Sequence, residues 1–226
     1  LLSLKTDLLV IVINKNTKDK VVNQLAKDVS SHLKESGSSV LVPNAKSFNA
    51  KNVLLVKGFQ DSDQIHKLIS MYQSIAQKGN QLKAKDISIM PGTVYPKGKC
   101  EMWLIEMVAK TIESNVYIFS ETCNKTAKKP SVKKLNILVS SLTKSDLIKA
   151  KNAAKKGYAI GEGVNSAKYL GDLPANHCTP RIIERKVKAM TKDFPKLKVK
   201  SFNENQMKKM GMGSFLSVSR GSEEPA

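Results

Sequence analysis

The chain has 226 residues, of which 41% are hydrophobic, and its formal net charge is +19. This length and apolar content are sufficient for one large or two small globular domains with a buried core. The longest apolar run, LLVIVIN at Leu8–Asn14, has the length of one strand, whereas a membrane-spanning helix needs roughly 18 consecutive apolar residues. The sequence therefore excludes a membrane-spanning helix and predicts a soluble protein.

The cysteines indicate a reducing compartment. Cys100, Cys123 and Cys178 are odd in number and far apart along the chain, which favours free thiols over a disulfide framework. The first residues also lack the basic region and small-residue cleavage site of a secretory signal. We therefore expect a cytoplasmic location.

The positive charge raises nucleic-acid binding as a candidate function, because lysine and arginine gain affinity for phosphate by releasing counterions. The basic residues are evenly spread: residues 1–143 hold 21 Lys against 11 acidic residues, and residues 144–226 hold 17 Lys and Arg against 8. The arginines, whose guanidinium suits bidentate phosphate and base contacts, are Arg181, Arg185 and Arg220. The pattern favours solvated surface lysines, and non-specific DNA binding stays open as the alternative function.

Residues 1–143 alternate predicted strands and helices. Short apolar runs predict strands at Leu4–Asn14, Ser39–Val42, Asn52–Phe59, Asp86–Met90, Asn115–Ser120 and Leu135–Val139. Apolar residues at helical spacing predict helices from Val21 to Leu33, from Ile65 to Ala76 and from Cys100 to Thr111. This alternation predicts an α/β fold with a mostly parallel or mixed sheet and helices on its faces.

A long helix is predicted next, from Thr143 or Ser145 to Leu170. In an α/β chain a helix of this length is typical of a bridge between two domains. Its three interior glycines, Gly157, Gly161 and Gly163, each cost about 1 kcal/mol relative to Ala, so we expect another backbone to approach them. The surrounding GYAIGEG matches neither nucleotide-binding fingerprint in spacing.

A break separates this helix from the next one. Gly171 is predicted to adopt the left-handed conformation that ends the helix, and Pro174 prevents its continuation. Thr179 can cap the following helix, with Pro180 at its first position. The break allows three interpretations: a catalytic elbow, a metal clip, or a structural hinge between two domains.

His177 and Cys178 carry the two chemical interpretations. Adjacent side chains in an extended turn diverge, which makes joint metal ligation awkward, and the sequence contains neither HExxH nor a paired CxxC. A nucleophilic cysteine would also need a placed base and an orienting group. The residues therefore favour a hinge with a structural thiol.

The remaining residues predict further short elements. A helix is predicted to bury an apolar stripe formed by Ile182, Ile183, Val187 and Met190. It is followed by a predicted strand at Leu197–Phe202 and a predicted helix at Glu204–Met210. Gly211 or Gly213 is predicted to end that helix, and SFLSVS at Ser214–Ser219 is predicted to be a final strand.

The segments EGVNSAKYLGDLPANHCTPRIIERKVKAM and VKSFNENQMKKMGMGSFLSVSRGSEEPA resemble the opening of the catalytic domain in the leucyl aminopeptidase family, also called the cytosol aminopeptidase family. The positions that match its motifs are Asn165, Tyr169, Leu170, Pro174, Asn176, Thr179, Pro180, Gly211, Met212, Gly213, Leu216, Val218, Gly221 and Ser222. Asp172 departs from the pattern, since Asn is common there.

The resemblance implies a cytosolic two-metal exopeptidase that removes N-terminal residues such as leucine from peptides. It also implies a homo-hexamer in which manganese or zinc activates a water molecule. On this interpretation residues 1–143 form an N-terminal α/β domain similar to macro domains, residues 144–171 form a bridging helix, and residues 172–226 begin the catalytic domain.

The family's metal and catalytic residues lie in segments similar to GKGxTFDxGG and NTDAEGR, and neither motif occurs in these 226 residues. We therefore assign no catalytic, cofactor-binding or metal-binding residue, and expect a truncated enzyme that binds no metal and is inactive alone. Residues 165–226 are expected to form an incomplete sheet edge that exposes LSV. An ADP-ribose pocket is a further alternative, but Gly58 and the glycines of Pro91–Gly98 have the spacing of turn residues.

Overall fold

The computed structural model describes residues 4–14, 17, 20–45, 47–59, 65–93, 95–122, 129–139 and 143–226. The chain divides into two compact units, residues 1–167 and residues 168–226. Cys123, one of the three predicted free thiols, lies outside the described residues, whereas Cys100 and Cys178 are both free.

A five-stranded mixed sheet forms the centre of the first unit. Its strands are β1 (Thr6–Ile13), β2 (Ser39–Pro43), β3 (Ala50–Lys57), β4 (Asp86–Met90) and β5 (Lys134–Ile137), in the order β2-β3-β1-β4-β5. β1 is parallel to β3 and β4, and β4 is parallel to β5. β2 runs antiparallel to β3 at one edge. The predicted α/β fold class is confirmed.

Helices cover both faces of β1, which explains its continuous apolar run. Successive side chains of a strand point to opposite faces, so Leu8, Val10 and Val12 belong to one core and Leu9 and Ile11 to the other. The first core includes helices α2 (Ile65–Gln81) and α3 (Glu101–Val116), and the second includes α1 (Lys20–Asp28). All five of these β1 side chains are buried.

Helix α4 (Lys144–Asp172) packs on α3 through glycines. A Cβ at Gly157 would lie 2.1 Å from the main-chain oxygen of Glu106, and one at Gly161 would lie 2.6 Å from the Cβ of Glu113. The predicted backbone approach is therefore confirmed at Gly157 and Gly161. It is wrong at Gly163, where a Cβ would meet open space.

Two sequence predictions in and beside these helices are wrong. Asn115 and Val116 belong to α3 rather than to a strand, and the Val116 carbonyl accepts a hydrogen bond from Asn80 Nδ2 at 2.8 Å, so this helix end is satisfied by α2. Residues 117–120 form no strand. Gly171 lies inside α4, one residue from its end, and its φ is not positive. The helix stops instead just before Leu173 and Pro174, as proline disfavours helical conformation in the preceding residue.

The second unit contains helices and turns. Its helices beyond the end of α4 are α5 (Pro180–Asp193), α6 (Glu204–Lys209) and α7 (Gly213–Ser219), and a short 3-10 turn spans Ala175–His177. The strands predicted at Leu197–Phe202 and Ser214–Ser219 are wrong: the first has no regular secondary structure, and the second is α7. No strand occurs in residues 168–226, all of which are described. A lone strand there would leave its backbone groups unpaired, whereas a helix pairs them locally.

Candidate functional site

The break after α4 is held by backbone hydrogen bonds. Pro174 precedes the 3-10 turn, in which the His177 amide donates to the Pro174 carbonyl at 2.8 Å and the Cys178 amide donates to the Ala175 carbonyl at 3.2 Å. Thr179 stands at the N-cap of α5 with extended backbone, although its side chain makes no cap hydrogen bond, and Pro180 occupies the first turn. The break is therefore a helix–turn–helix connection stabilised by its main chain.

The described residues place no cluster of metal ligands around His177 and Cys178. His177 is exposed, and Cys178 is half-buried as a free thiol. Within the described ranges, no group of three or more His, Cys, Asp or Glu side chains could hold a metal ion. The described residues therefore do not fit a two-metal centre, which requires several clustered carboxylates around both cations.

The contact between α3 and α4 contains hydrogen bonds and an ion pair, and we call it the Asn165 seam. Asn165 Nδ2 donates to the Glu113 carbonyl at 3.0 Å and to Glu113 Oε1 at 3.4 Å. The Tyr158 hydroxyl donates to Glu162 Oε1 at 2.9 Å. Lys156 Nζ lies 3.1 Å from Glu106 Oε1, which adds an ion pair to the same contact. The Asn165 bonds and the ion pair join α4 to α3 around the two closely packed glycines, whereas the Tyr158 bond lies within α4.

Burial raises the pKa of the Glu113 carboxyl, and the nearby Glu162 raises it further, whereas the hydrogen bond from Asn165 opposes this shift. Asn165 Oδ1 is buried and has no hydrogen-bond partner among the described residues. Two carboxylates and one amide oxygen do not supply the ligand set of a dinuclear centre. This seam positions α4 and holds no metal centre.

Sequence reasoning identified Asn165 but missed its partner Glu113, which lies 52 residues earlier in the chain. The glycine spacing of α4 was the available signal, since it predicted a neighbouring backbone. It gave no means of choosing α3 as that neighbour.

The carboxyl end of β1 is the second candidate site. β1 leads to α1 on one face of the sheet, while its neighbours β3 and β4 lead to helices on the other face. Ligands of open α/β sheets bind in the crevice that such a reversal creates. A cavity of about 190 Å³ lies here, lined in part by Asn14, Ser30 and Gly58.

Asn14 fills this crevice. Oriented to satisfy both neighbours, its side-chain amide donates to the Ile13 carbonyl at 3.0 Å and accepts from the Thr93 amide at 3.0 Å. A Cβ at Gly58 would lie 1.8 Å from the Asn14 side-chain amide, and one at Gly92 would lie 2.6 Å from it. The two glycines therefore make room for Asn14, and the small cavity does not favour an ADP-ribose site, because ligand pockets usually measure about 300–1,000 Å³.

Comparison with known proteins indicates which family this chain resembles. Residues 165–226 match the family model described as the cytosol aminopeptidase family, catalytic domain. The cytosol aminopeptidase of Pseudomonas aeruginosa is 30% identical over 193 residues, which cover 84% of this chain and 38% of that protein. An Azotobacter vinelandii protein named "Probable cytosol aminopeptidase" is 30% identical over 237 residues, covering 99% of this chain and 47% of that protein.

Solved structures share the fold. A mutant of tomato leucine aminopeptidase superposes with a TM-score of 0.75 at 20% identity, covering 99% of this chain and 47% of that one. The bottromycin maturation enzyme BotP in complex with Mn gives 0.71 at 15% identity, covering 97% and 43%. The fold of this chain is therefore one found in leucine aminopeptidase structures.

Together with the match at residues 165–226, these similarities show that the chain belongs to the cytosol aminopeptidase family. It spans about two-fifths to half of the length of the curated relatives it matches. No helix in the described part of the chain is long and apolar enough to cross a membrane.

Proposed function

We propose that this chain is part of a two-metal cytoplasmic aminopeptidase that hydrolyses N-terminal residues such as leucine from peptides. The observation that carries the proposal is the match of residues 165–226 to the catalytic domain of the cytosol aminopeptidase family. Sequence similarity to curated relatives over most of the chain supports it. On this proposal residues 1–143 form the N-terminal domain, residues 144–171 a bridging helix, and residues 172–226 the start of the catalytic domain.

The chain's own part in this activity is scaffolding. Manganese or zinc would activate the attacking water when bound, but the described residues offer no cluster of metal ligands. Their contribution is mechanical: the glycines of α4 and the Asn165 bonds hold that helix on α3. We therefore assign the metal ligands to residues outside the described ranges.

The test is hydrolysis of leucine 4-nitroanilide by the complete product of the gene that encodes this chain, with the 226-residue polypeptide as a parallel sample. We expect manganese-dependent turnover from a gene product that contains the family's metal-binding motifs, abolished by EDTA and restored by added metal. The 226-residue chain should release no nitroaniline and retain no metal after dialysis.

Two outcomes would contradict the proposal. Metal-dependent turnover by the purified 226-residue chain would show that it supplies a complete active site. The aminopeptidase assignment would also be wrong if a gene product that contains the metal-binding motifs shows no peptidase activity with either manganese or zinc. Light scattering of the active sample tests the proposed homo-hexamer.

The alternative function is non-specific nucleic-acid binding, which the formal net charge of +19 favours. Binding by diffuse lysines releases counterions, so affinity should fall steeply as salt rises. Fluorescence anisotropy of a labelled DNA duplex at about 50 and 200 mM salt measures this dependence. A shallow salt dependence, or no binding at the lower concentration, would remove this alternative.

A further inference from the structure

A half-open groove of about 760 Å³ lies in the described part of the first unit. It lies where α3, β5 and the first half of α4 face one another, and we call it the α3–α4 groove. Its 17 lining residues all belong to residues 105–158. It borders the Asn165 seam, since Glu113 and Tyr158 belong to both, and it shares no lining residue with the cavity at the carboxyl end of β1.

The floor of the α3–α4 groove is apolar. Buried side chains of α3, half-buried side chains of β5 and small side chains of α4 form it: Ile105, Ala109, Ile112 and Val116 from α3, Leu135 and Ile137 from β5, Ala150 and Ala154 from α4. Leu147 also lines the groove and is 41% exposed. An apolar ligand would therefore remove hydrocarbon surface from water here.

The rim of the groove is positively charged. Lys133, Lys134, Lys151 and Lys155 line it, and none of the ion pairs found among the described residues involves their ammonium groups. Glu113 is the one acidic side chain among the described lining residues. The combination of an apolar floor with unpaired cations at the rim matches a ligand that has an alkyl chain and an anionic head.

We propose that the α3–α4 groove binds a medium-chain fatty-acid carboxylate. The alkyl chain lies on the floor, and the carboxylate is held by the rim lysines through charge-assisted hydrogen bonds. The volume falls within the range of about 300–1,000 Å³ that small-molecule pockets occupy. A protein partner matches the groove less well, because a stable protein–protein interface engages about 20–30 residues on each side, whereas 17 residues line this groove.

The first experiment is calorimetric titration of the 226-residue chain with octanoate, decanoate and dodecanoate, each below its micellar concentration. Each methylene that becomes buried contributes up to about fourfold in affinity, so we expect a two- to fourfold gain per added carbon. Dodecanol should bind at least about tenfold more weakly than dodecanoate, because it lacks the charge. Absence of saturable binding, or affinity independent of chain length, would overturn the proposal.

Charge-reversal variants locate the site. Lys151→Glu combined with Lys155→Glu should weaken dodecanoate binding by about tenfold or more. The matched control is Lys192→Glu combined with Lys196→Glu, which makes the same charge change in the second unit and should leave affinity unchanged. Equal weakening by both pairs would show a general charge effect and overturn the assignment of the groove.

Two floor variants make the test independent of the lysines. Ala154→Leu fills part of the groove, and Leu147→Gln makes its exposed wall polar without removing a buried side chain. Both should weaken dodecanoate binding while circular dichroism shows unchanged helix content. Full affinity in Leu147→Gln and Ala154→Leu would contradict the proposal. Absence of saturable dodecanoate binding together with binding of an acidic amphipathic peptide that Lys151→Glu combined with Lys155→Glu weakens would overturn the proposal and identify a protein-docking surface.

Discussion

The two units differ in how much of their apolar surface they bury. In the first, Leu8, Leu9, Val10 and Ile11 are completely buried in β1, and helices cover both faces of the sheet. In the second, residues 168–226, Leu173 and Met207 are the buried hydrophobic side chains. The apolar side chains left exposed there are Ile183, Met190, Phe194, Leu197, Phe202, Met210, Met212, Phe215 and Val218.

This difference has a physical consequence for stability. Most helical stability in proteins comes from packing an apolar face, and α5 has an apolar stripe that the sequence predicted to be buried. The structure corrects that prediction, because no residue of α5 is buried. The first unit is therefore stabilised by its own core, whereas the helices of the second gain little from burial within their unit.

The largest expected change in unfolding free energy comes from comparing substitutions at one buried and one exposed apolar residue. Ile11→Ala should destabilise the first unit by about 2–5 kcal/mol, because it removes a fully buried side chain and leaves a cavity. Val218→Ala in the second unit should change stability by less than about 0.5 kcal/mol, since Val218 is 87% exposed. Urea unfolding followed by circular dichroism measures both. Comparable losses would refute the contrast between the units.

The second largest change in stability is expected from substitutions at two glycines of α4. Gly157→Ala places a Cβ against the Glu106 carbonyl and should destabilise the α3–α4 packing by about 1–3 kcal/mol. Gly163→Ala places it in open space and should stabilise α4 by about 0.5–1 kcal/mol, the helix preference of Ala over Gly. Thermal unfolding of both variants shows whether each substitution stabilises or destabilises the protein. Stabilisation by both would show that α4 does not pack on α3 at Gly157.

A third effect concerns a local bond in the second unit. Asn203 caps α6: its Oδ1 accepts from the Gln206 amide at 3.0 Å, and Gln206 Oε1 accepts from the Asn203 amide at 3.0 Å. Asn203→Ala should cost about 1 kcal/mol of helix stability. In hydrogen exchange, the amides of α6 should then exchange about fivefold faster, with β1 as the internal control. An unchanged exchange rate would indicate that α6 does not depend on its cap.

The smallest effect is a pH dependence. Because burial and Glu162 raise the folded pKa of Glu113 above its ordinary value of 4.5, the folded state binds this proton more tightly than the unfolded state. Wild-type stability should therefore fall as pH rises from about 4.5 through the folded pKa. Glu113→Gln should flatten that fall and be more stable than wild type at pH 7.

Asp7 provides a control of opposite sign. Hydrogen bonds from Lys51 and from the Lys85 amide lower the pKa of Asp7, so its contribution is present above its ordinary value of 3.8 and is lost as pH falls through the folded pKa. Asp7→Asn should therefore be less stable than wild type at pH 7. Urea unfolding between about pH 4.5 and 7 compares the two variants. A steeper fall in Glu113→Gln would contradict the assigned burial of that carboxyl.

Local patterns were sufficient for most of the first unit. The apolar runs of β1, β3 and β4 predicted strands because each is long enough and is bounded by polar or turn residues. The start of α4 was also predictable: Thr143 Oγ1 accepts from the Asp146 amide at 3.1 Å, the local capping bond expected of a Thr before a helix.

The errors fall where structure depends on distant partners. SFLSVS has strand-like composition but forms α7, because residues 168–226 offer it no strand to pair with. In the same way, Gly157, Gly161 and Gly163 look equivalent in sequence, yet only the first two meet α3. Sequence spacing cannot distinguish them, since it carries no information about which side of α4 a neighbour occupies.

By itself the sequence determined the α/β alternation of the first unit, the long helix α4 and the family motifs of residues 165–226, because each depends on residues close together in the chain. Tertiary structure alone decided that Asn165 donates a hydrogen bond to the Glu113 carbonyl and that Asn14 occupies the crevice beside Gly58 and Gly92. It also decided that lysines from β5 and α4 surround one apolar groove. These contacts join residues far apart in sequence, so packing of the elements had to bring them together.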